Sequence, residues 1–166
     1  MKLYFMMGLP TETMEDIDAI MEVSLLARDM GRKQGKRPRI AVSVAGFVPK
    51  PHTPFQWEAQ ATEEDLAMKG GTLKRLAKRA GIVLNYHEPA QTFLEGVIAR
   101  GDRGIADVIE KAWKSGARFD GWSECFDRER WTRAFADAGI DPAEYAGRTR
   151  ECDEAFPWEV IDAGVS

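Results

Sequence analysis

Lys2-Leu3-Tyr4-Phe5-Met6-Met7-Gly8-Leu9-Pro10 and Ile40-Ala41-Val42-Ser43-Val44-Ala45-Gly46-Phe47-Val48 decide the fold class. Each is a short apolar run closed by glycine or proline, the pattern of a buried strand that ends in a turn. Between them, Thr11 and Thr13 are helix-capping residues. Ile17, Ile20, Met21, Leu25 and Met30 then recur at helical spacing over acidic Glu15, Asp16, Asp18 and Glu22. A basic linker, Gly31 to Arg39, leads into the second run. Strand, helix and strand in that order predict parallel strands joined by a right-handed crossover, an α/β arrangement.

Working outward, Glu63 to Ala80 predicts a second crossover helix with Leu66, Leu73, Leu76 and Ala77 inward, weakened by Gly70-Gly71. Gly81 ends it, and Ile82 to Tyr86 predicts a short third strand. Beyond that the alternation stops. Gln91 to Ala99, Ile105 to Lys114 and Arg128 to Ala138 predict helices, with a turn at Asp141-Pro142. Ile105, Val108, Ile109, Ala112 and Trp113 are expected to face a core, and Trp131 and Phe135 to anchor the tail. The expected division is therefore an α/β part over residues 1–88 and a mainly helical extension over 89–166.

With a net charge of −4 on 166 residues, bulk electrostatics do not favour nucleic acid, and no RNA-binding module is recognisable. No run approaches the roughly 20 apolar residues of a membrane span, and Lys2 to Pro10 leads directly into acidic residues, so a cytoplasmic protein without a membrane partner is expected. Cys125 and Cys152 are too few for a disulfide scaffold and too far apart for a local metal motif. No metal ligand is assigned, and both cysteines are expected to be buried or incidental. His87 is expected to be an ordinary loop residue.

Three places are suited to chemistry. Gly8-Leu9-Pro10-Thr11-Glu12-Thr13 closes the first strand, at the carboxyl edge where α/β proteins bind ligands. There Gly8 and Pro10 shape the turn and Glu12 can accept from an amine or hydroxyl; a plain strand-turn-helix connection is the other reading. The loop lacks the glycine spacing and lysine of a phosphate-binding loop. Second, the prolines of Phe47-Val48-Pro49-Lys50-Pro51-His52-Thr53-Pro54-Phe55-Gln56-Trp57 dictate a rigid, non-helical loop. Phe47 and Val48 can pack on a planar ligand, and Lys50 and His52 are substrate candidates. Third, Arg100 and Arg103 of Arg100-Gly101-Asp102-Arg103, with Arg118-Phe119-Asp120-Gly121-Trp122, suit either an anionic substrate or internal salt bridges to Asp102 and Asp120.

The ordered combination of the first-strand loop and the proline loop resembles the later strands of a radical S-adenosylmethionine protein. The nearest group is an uncharacterised family with a B12-binding-like N-terminal domain. Leu94-Glu95-Gly96-Val97, Arg100 to Arg103, Gly116 to Trp122, and Phe156 to Asp162 with Gly164-Val165 resemble the region after that family's barrel. The resemblance implies the C-terminal portion of a partial (β/α)6 barrel followed by a helical extension. In such enzymes three cysteines of an early loop hold a [4Fe-4S] cluster. The cluster reduces S-adenosylmethionine, releasing methionine and a 5'-deoxyadenosyl radical that abstracts hydrogen from substrate.

By the same resemblance, Gly8, Pro10 and Glu12 lie at a cofactor-side loop of the fifth strand, and Phe47 and Val48 line the adenosine side near the sixth. The cysteine triad is absent from this sequence, so neither the cluster nor S-adenosylmethionine is expected to bind this chain alone stoichiometrically. No catalytic residue is assigned, and cobalamin binding stays open. The expected partner is a missing N-terminal barrel half, natural or split. The alternative is a stand-alone, non-catalytic α/β protein that closes its sheet with the tail or self-associates through an exposed sheet edge.

Overall fold

The computed structural model describes residues 1–164. In chain order the elements are β1 (Lys2–Met7), α1 (Met14–Lys33), β2 (Ala41–Gly46), α2 (Glu63–Ala80), β3 (Val83–Tyr86), α3 (Pro89–Arg100), α4 (Ile105–Lys114), α5 (Arg128–Ala138) and α6 (Ala143–Ala146). They form two compact units. The first joins Met1–Phe47 to Ala61–Pro89; the second joins Val48–Gln60 to the chain from Ala90 onward. The proline-rich segment 48–60 thus groups with the later helices and not with the strands that flank it in sequence.

The first unit is an α/β layer: a three-stranded parallel sheet, order β1-β2-β3. Strand periodicity sorts its residues. Leu3, Phe5, Met7, Val42, Val44, Leu84 and Tyr86 share one face and pack with Ile17, Ile20 and Met21 of α1 and Leu66, Leu73 and Ala77 of α2. Ile17, Leu66, Leu73 and Val42 are completely buried, each contributing about 1.5–3 kcal/mol of apolar transfer. Both helices therefore cover the same face.

The opposite face carries the register rows Lys2-Ala41-Val83 and Tyr4-Ser43-Asn85, with Met6 beside Ala45. Tyr4 is 71% exposed, Val83 61% and Met6 47%. Side chains of that size on an open sheet face are unusual for a sheet covered on both sides.

Local chemistry explains the helix ends and the departures from expectation. Thr13 caps α1 by accepting from the Asp16 N–H, while the Asp16 carboxylate accepts from the Thr13 N–H at 2.8 Å and is held below its usual pKa by these bonds. Thr11, also expected as a cap, instead sits in the left-handed region at φ 66°. Met30 is 56% exposed, because at ~100° per residue its position lies opposite the Ile17 stripe. Ser24 occupies the inward phase, its hydroxyl donating to the Ile20 carbonyl at 2.7 Å.

Gly70-Gly71 does not interrupt α2. A Cβ at Gly70 would stand 3.0 Å from the Tyr86 ring, so the glycine lets helix and third strand approach closely. β2 stops at Gly46, short of Val48, although the Phe47 N–H still donates to the Met7 carbonyl at 2.7 Å.

In the second unit, α4 and α5 pack around Val97, Ile105, Val108, Ala112, Trp131, Ala134, Phe135 and Ala146. Trp131 and Phe135 are buried anchors. Ile109 and Trp113 lie on the edge of this stripe and are 42% and 54% exposed, while Ile105, Val108 and Ala112 are buried. Gly96 lets the 48–60 segment lie on α3, because a Cβ there would collide with the Gln60 side chain, whose amide donates to the Thr92 carbonyl at 2.8 Å.

Candidate functional site

In the first unit, the loop after β1 is built by Gly8, at φ 84°. A Cβ at this position would meet Leu66 Cδ2 at 2.7 Å, so both backbone and space demand glycine. The Gly8 N–H donates to Glu12 Oε2 at 2.8 Å, and the same oxygen pairs with Lys69 Nζ at 3.0 Å. Lys69 also pairs with Asp65 at 2.7 Å. The Glu12 and Lys69 side chains are only 5% and 9% exposed. Burial is the largest influence on Lys69 and lowers its pKa, but Asp65 and Glu12 together outweigh it and hold the ammonium above 10.5.

Glu12 was expected to offer its carboxylate to a ligand; Oε2 is already engaged by two donors. Pro10 is half-buried on the turn, and Phe47, expected to present a ring to a planar ligand, is 5% exposed. Chemically the loop is a rigid, charge-locked turn at the carboxyl end of β1, with Phe47 following the adjacent end of β2.

In the second unit, Val48 is half-buried and Pro49 fully buried. Lys50 is exposed and ion-paired with Glu95. His52 adopts left-handed backbone at φ 56°, a conformation uncommon outside glycine. Gln56 Oε1 accepts from the His52 N–H at 3.1 Å and from Trp158 Nε1 at 2.9 Å. The loop and tail together wall a cavity of about 340 Å³ lined by His52, Gln56, Trp57, Cys152, Phe156 and Trp158, among others. Phe156 stacks on Trp158 at 4.7 Å and meets the Trp57 ring edge-on at 5.8 Å.

Arg100 is completely buried. Its guanidinium donates to the carbonyls of Glu58 (2.8 Å), Gln56 (3.2 Å) and Ala146 (3.4 Å), pinning the proline segment to α3 and the tail. Burial, then the charges of Arg150 and Arg148, depress its pKa to about 10. The expected pairing with Asp102 or Asp120 gives way to these carbonyls. Asp102 accepts instead from the Gly104 N–H and the Tyr145 hydroxyl, and Asp120 from Trp131 Nε1. Arg118 donates to the Trp113 and Ala117 carbonyls. Arg103 is exposed, as are His87, Cys125 and Cys152; the cysteines are not buried as one expectation had it.

Sequence reading missed Lys69, Asp65 and Cys152 as parts of these two places, and named Gln56 and Trp57 only as the end of the proline-rich stretch. The i,i+4 spacing of Asp65 and Lys69 was a visible signal for half of the first, and the aromatic tail for half of the second. Val165 lies outside the described residues. Among the described residues no three His, Cys, Asp or Glu side chains group as metal ligands, and no helix is long and apolar enough to cross a membrane.

No family model and no solved structure matches the chain. An uncharacterized protein of Methanocaldococcus jannaschii is 32% identical over 111 residues, which make up 66% of this chain and 23% of the archaeal protein. The chain thus spans less than a quarter of that relative's length.

Proposed function

We propose that this chain supplies the late strands and cofactor-side loops of a radical S-adenosylmethionine, [4Fe-4S]-dependent enzyme, and that it acts only with a cysteine-bearing early half of the barrel. The observation that carries this reading is the sheet with one open face. Parallel strands in sequential order, with both crossover helices on one side, are the arrangement expected of an arc of a barrel wall. The row Tyr4-Ser43-Asn85 and the neighbouring Met6 then face the barrel interior. Gly8, Pro10 and Glu12, together with Phe47, shape the carboxyl rim where a barrel binds its ligands. The length of the archaeal relative beyond the matched stretch supports a larger parent protein.

The sequence holds two cysteines, and both are exposed; three or four thiolates are needed for a [4Fe-4S] centre. The ligand set does not fit this chain alone, so its own residues contribute shape and rim.

The test is formation of 5'-deoxyadenosine from S-adenosylmethionine under reducing, anaerobic conditions. Neither the chain alone nor a cysteine-bearing early half alone is expected to form it, and the two together are. Met6→Glu places a charge on the open face, where it is solvated in the isolated chain and buried in a closed barrel. Its expected result is unchanged thermal stability of the chain and loss of complementation. Cleavage by the chain alone, or full complementation by Met6→Glu, would contradict the proposal.

A further inference from the structure

The sheet has two free edges, at β1 and at β3, and the helices above them differ in chemistry. α1 and α2 cover the same sheet face, and right-handed crossovers set α2 beyond α1 in the direction from β1 to β3. At ~100° per residue, Leu25 stands ~80° from the inward Ile17 on the flank of α1 turned toward α2, and it is partly buried there. Asp18, Glu22 and Asp29 share that flank.

The other flank of α1, above the free edge of β1, is apolar. Val23, Ala27 and Met30 stand ~80–140° from Ile17 on that side, and Asp16, held in the helix cap, is its charged residue. Val23 and Met30 are exposed, as is Leu26 at the outer border. A solvated helix side is normally polar, and a contiguous apolar one marks a surface that something covers.

The β3 edge has the opposite character. β3 is four residues long, against six for β1. By the same phase reckoning from Leu66, the flank of α2 above it carries Ala67, Lys74 and Lys78, all exposed. A short end strand beneath lysines is how proteins close a sheet to further pairing. The sheet therefore ends at β3 and is open to extension at β1.

We propose that the partner docks on β1 and α1 together. It supplies a β-α unit whose strand pairs with the free edge of β1 and whose helix lays an apolar face on Val23, Ala27 and Met30. The surface follows from the contrast between the two edges; the choice of occupant, the early half of the barrel, rests on the radical-enzyme reading. The archaeal relative has chain enough for such a unit, since the matched stretch is 23% of it.

Co-expression of the full chain, tagged, with the remainder of the archaeal relative lacking the stretch it shares with this chain tests the surface by co-purification. Wild type is expected to retain the remainder in equal amount. Val23→Glu with Met30→Glu is expected to lower retention about tenfold or more, because two carboxylates would be buried unpaired. Both positions are exposed, so the melting temperature of the chain alone is expected to stay unchanged. Ala67→Glu with Lys74→Glu, on the far flank of α2, is expected to retain the remainder fully. No retention by wild type, or equal retention by the Val23→Glu, Met30→Glu variant, would overturn the proposal. So would a chain that is a dimer by itself and a monomer with those two substitutions, which would make a second copy the occupant. Neither readout needs iron. Retention without 5'-deoxyadenosine formation would keep this interface and sink the radical-enzyme reading, and 5'-deoxyadenosine formation indifferent to the α1 substitutions would do the reverse.

Discussion

Arg100→Ala is expected to destabilise the second unit by about 4 kcal/mol, because it leaves buried carbonyls without a donor and opens a cavity where the stem packed. The opposing effect is relief of a charge that burial and two neighbouring arginines disfavour, as the depressed pKa near 10 records. Ala146 O retains the Gln60 N–H, so Glu58 and Gln56 are the carbonyls that lose their donor with Arg100. Arg100→Met restores the stem volume without the donors, so it isolates the hydrogen bonds, and is expected to cost about 2 kcal/mol. All five tryptophans lie in the second unit, which makes denaturant titration followed by tryptophan fluorescence a selective measure. A neutral or stabilising Arg100→Met would mean that the charge is a greater burden than its carbonyl contacts offset.

Lys69→Met acts on the other unit and is expected to cost about 3–5 kcal/mol, the range for removing one partner of a buried pair. It strands the Glu12 carboxylate, 5% exposed, with the Gly8 N–H still donating to it. Glu12→Gln added to Lys69→Met is expected to recover part of the loss, since no uncompensated charge then remains. The ammonium has a folded pKa raised above its unfolded value of 10.5. Its stabilising contribution is therefore fully present below about pH 10.5 and is lost as pH rises through the folded pKa. Wild type is expected to lose this increment at alkaline pH, whereas Lys69→Met has none to lose. Far-UV circular dichroism at a series of pH values checks both, as the first unit holds no tryptophan. Parallel alkaline profiles would show that Lys69 contributes no linked stability.

The strands and crossover helices were legible because their signals are local: short apolar runs closed by Gly8 or by the prolines from Pro49, and a Thr13 cap before a helical stripe. What escaped reading involves partners that sequence leaves anonymous. Glu12 finds Lys69 on a helix far along the chain, and Arg100 finds backbone carbonyls, which every residue possesses. The prolines announced that segment 48–60 is rigid but not which unit it joins; that choice follows from the space left at Gly96 and the donors of Arg100. Met30 is an apolar residue whose phase, worked out from ~100° per residue, points outward, and Ile109 and Trp113 sit at the edge of their stripe, where spacing alone does not decide burial. The sequence from Trp122 onward is rich in Trp and Phe, and Phe156 and Trp158 are buried, but the cavity they share with His52 and Trp57 depends on long-range packing.

The central claim is that this chain is one arc of a radical-enzyme barrel, and anaerobic iron-sulfide reconstitution tests it most directly. Iron counting and electron paramagnetic resonance would be carried out on the chain alone and on the chain bound to an early half bearing Cys-x3-Cys-x2-Cys. The expected result is no stoichiometric centre on the chain alone, and in the complex about four iron per assembly with a spectrum that changes on adding S-adenosylmethionine. A [4Fe-4S] centre on the chain alone, or a complex whose spectrum ignores S-adenosylmethionine, would contradict it.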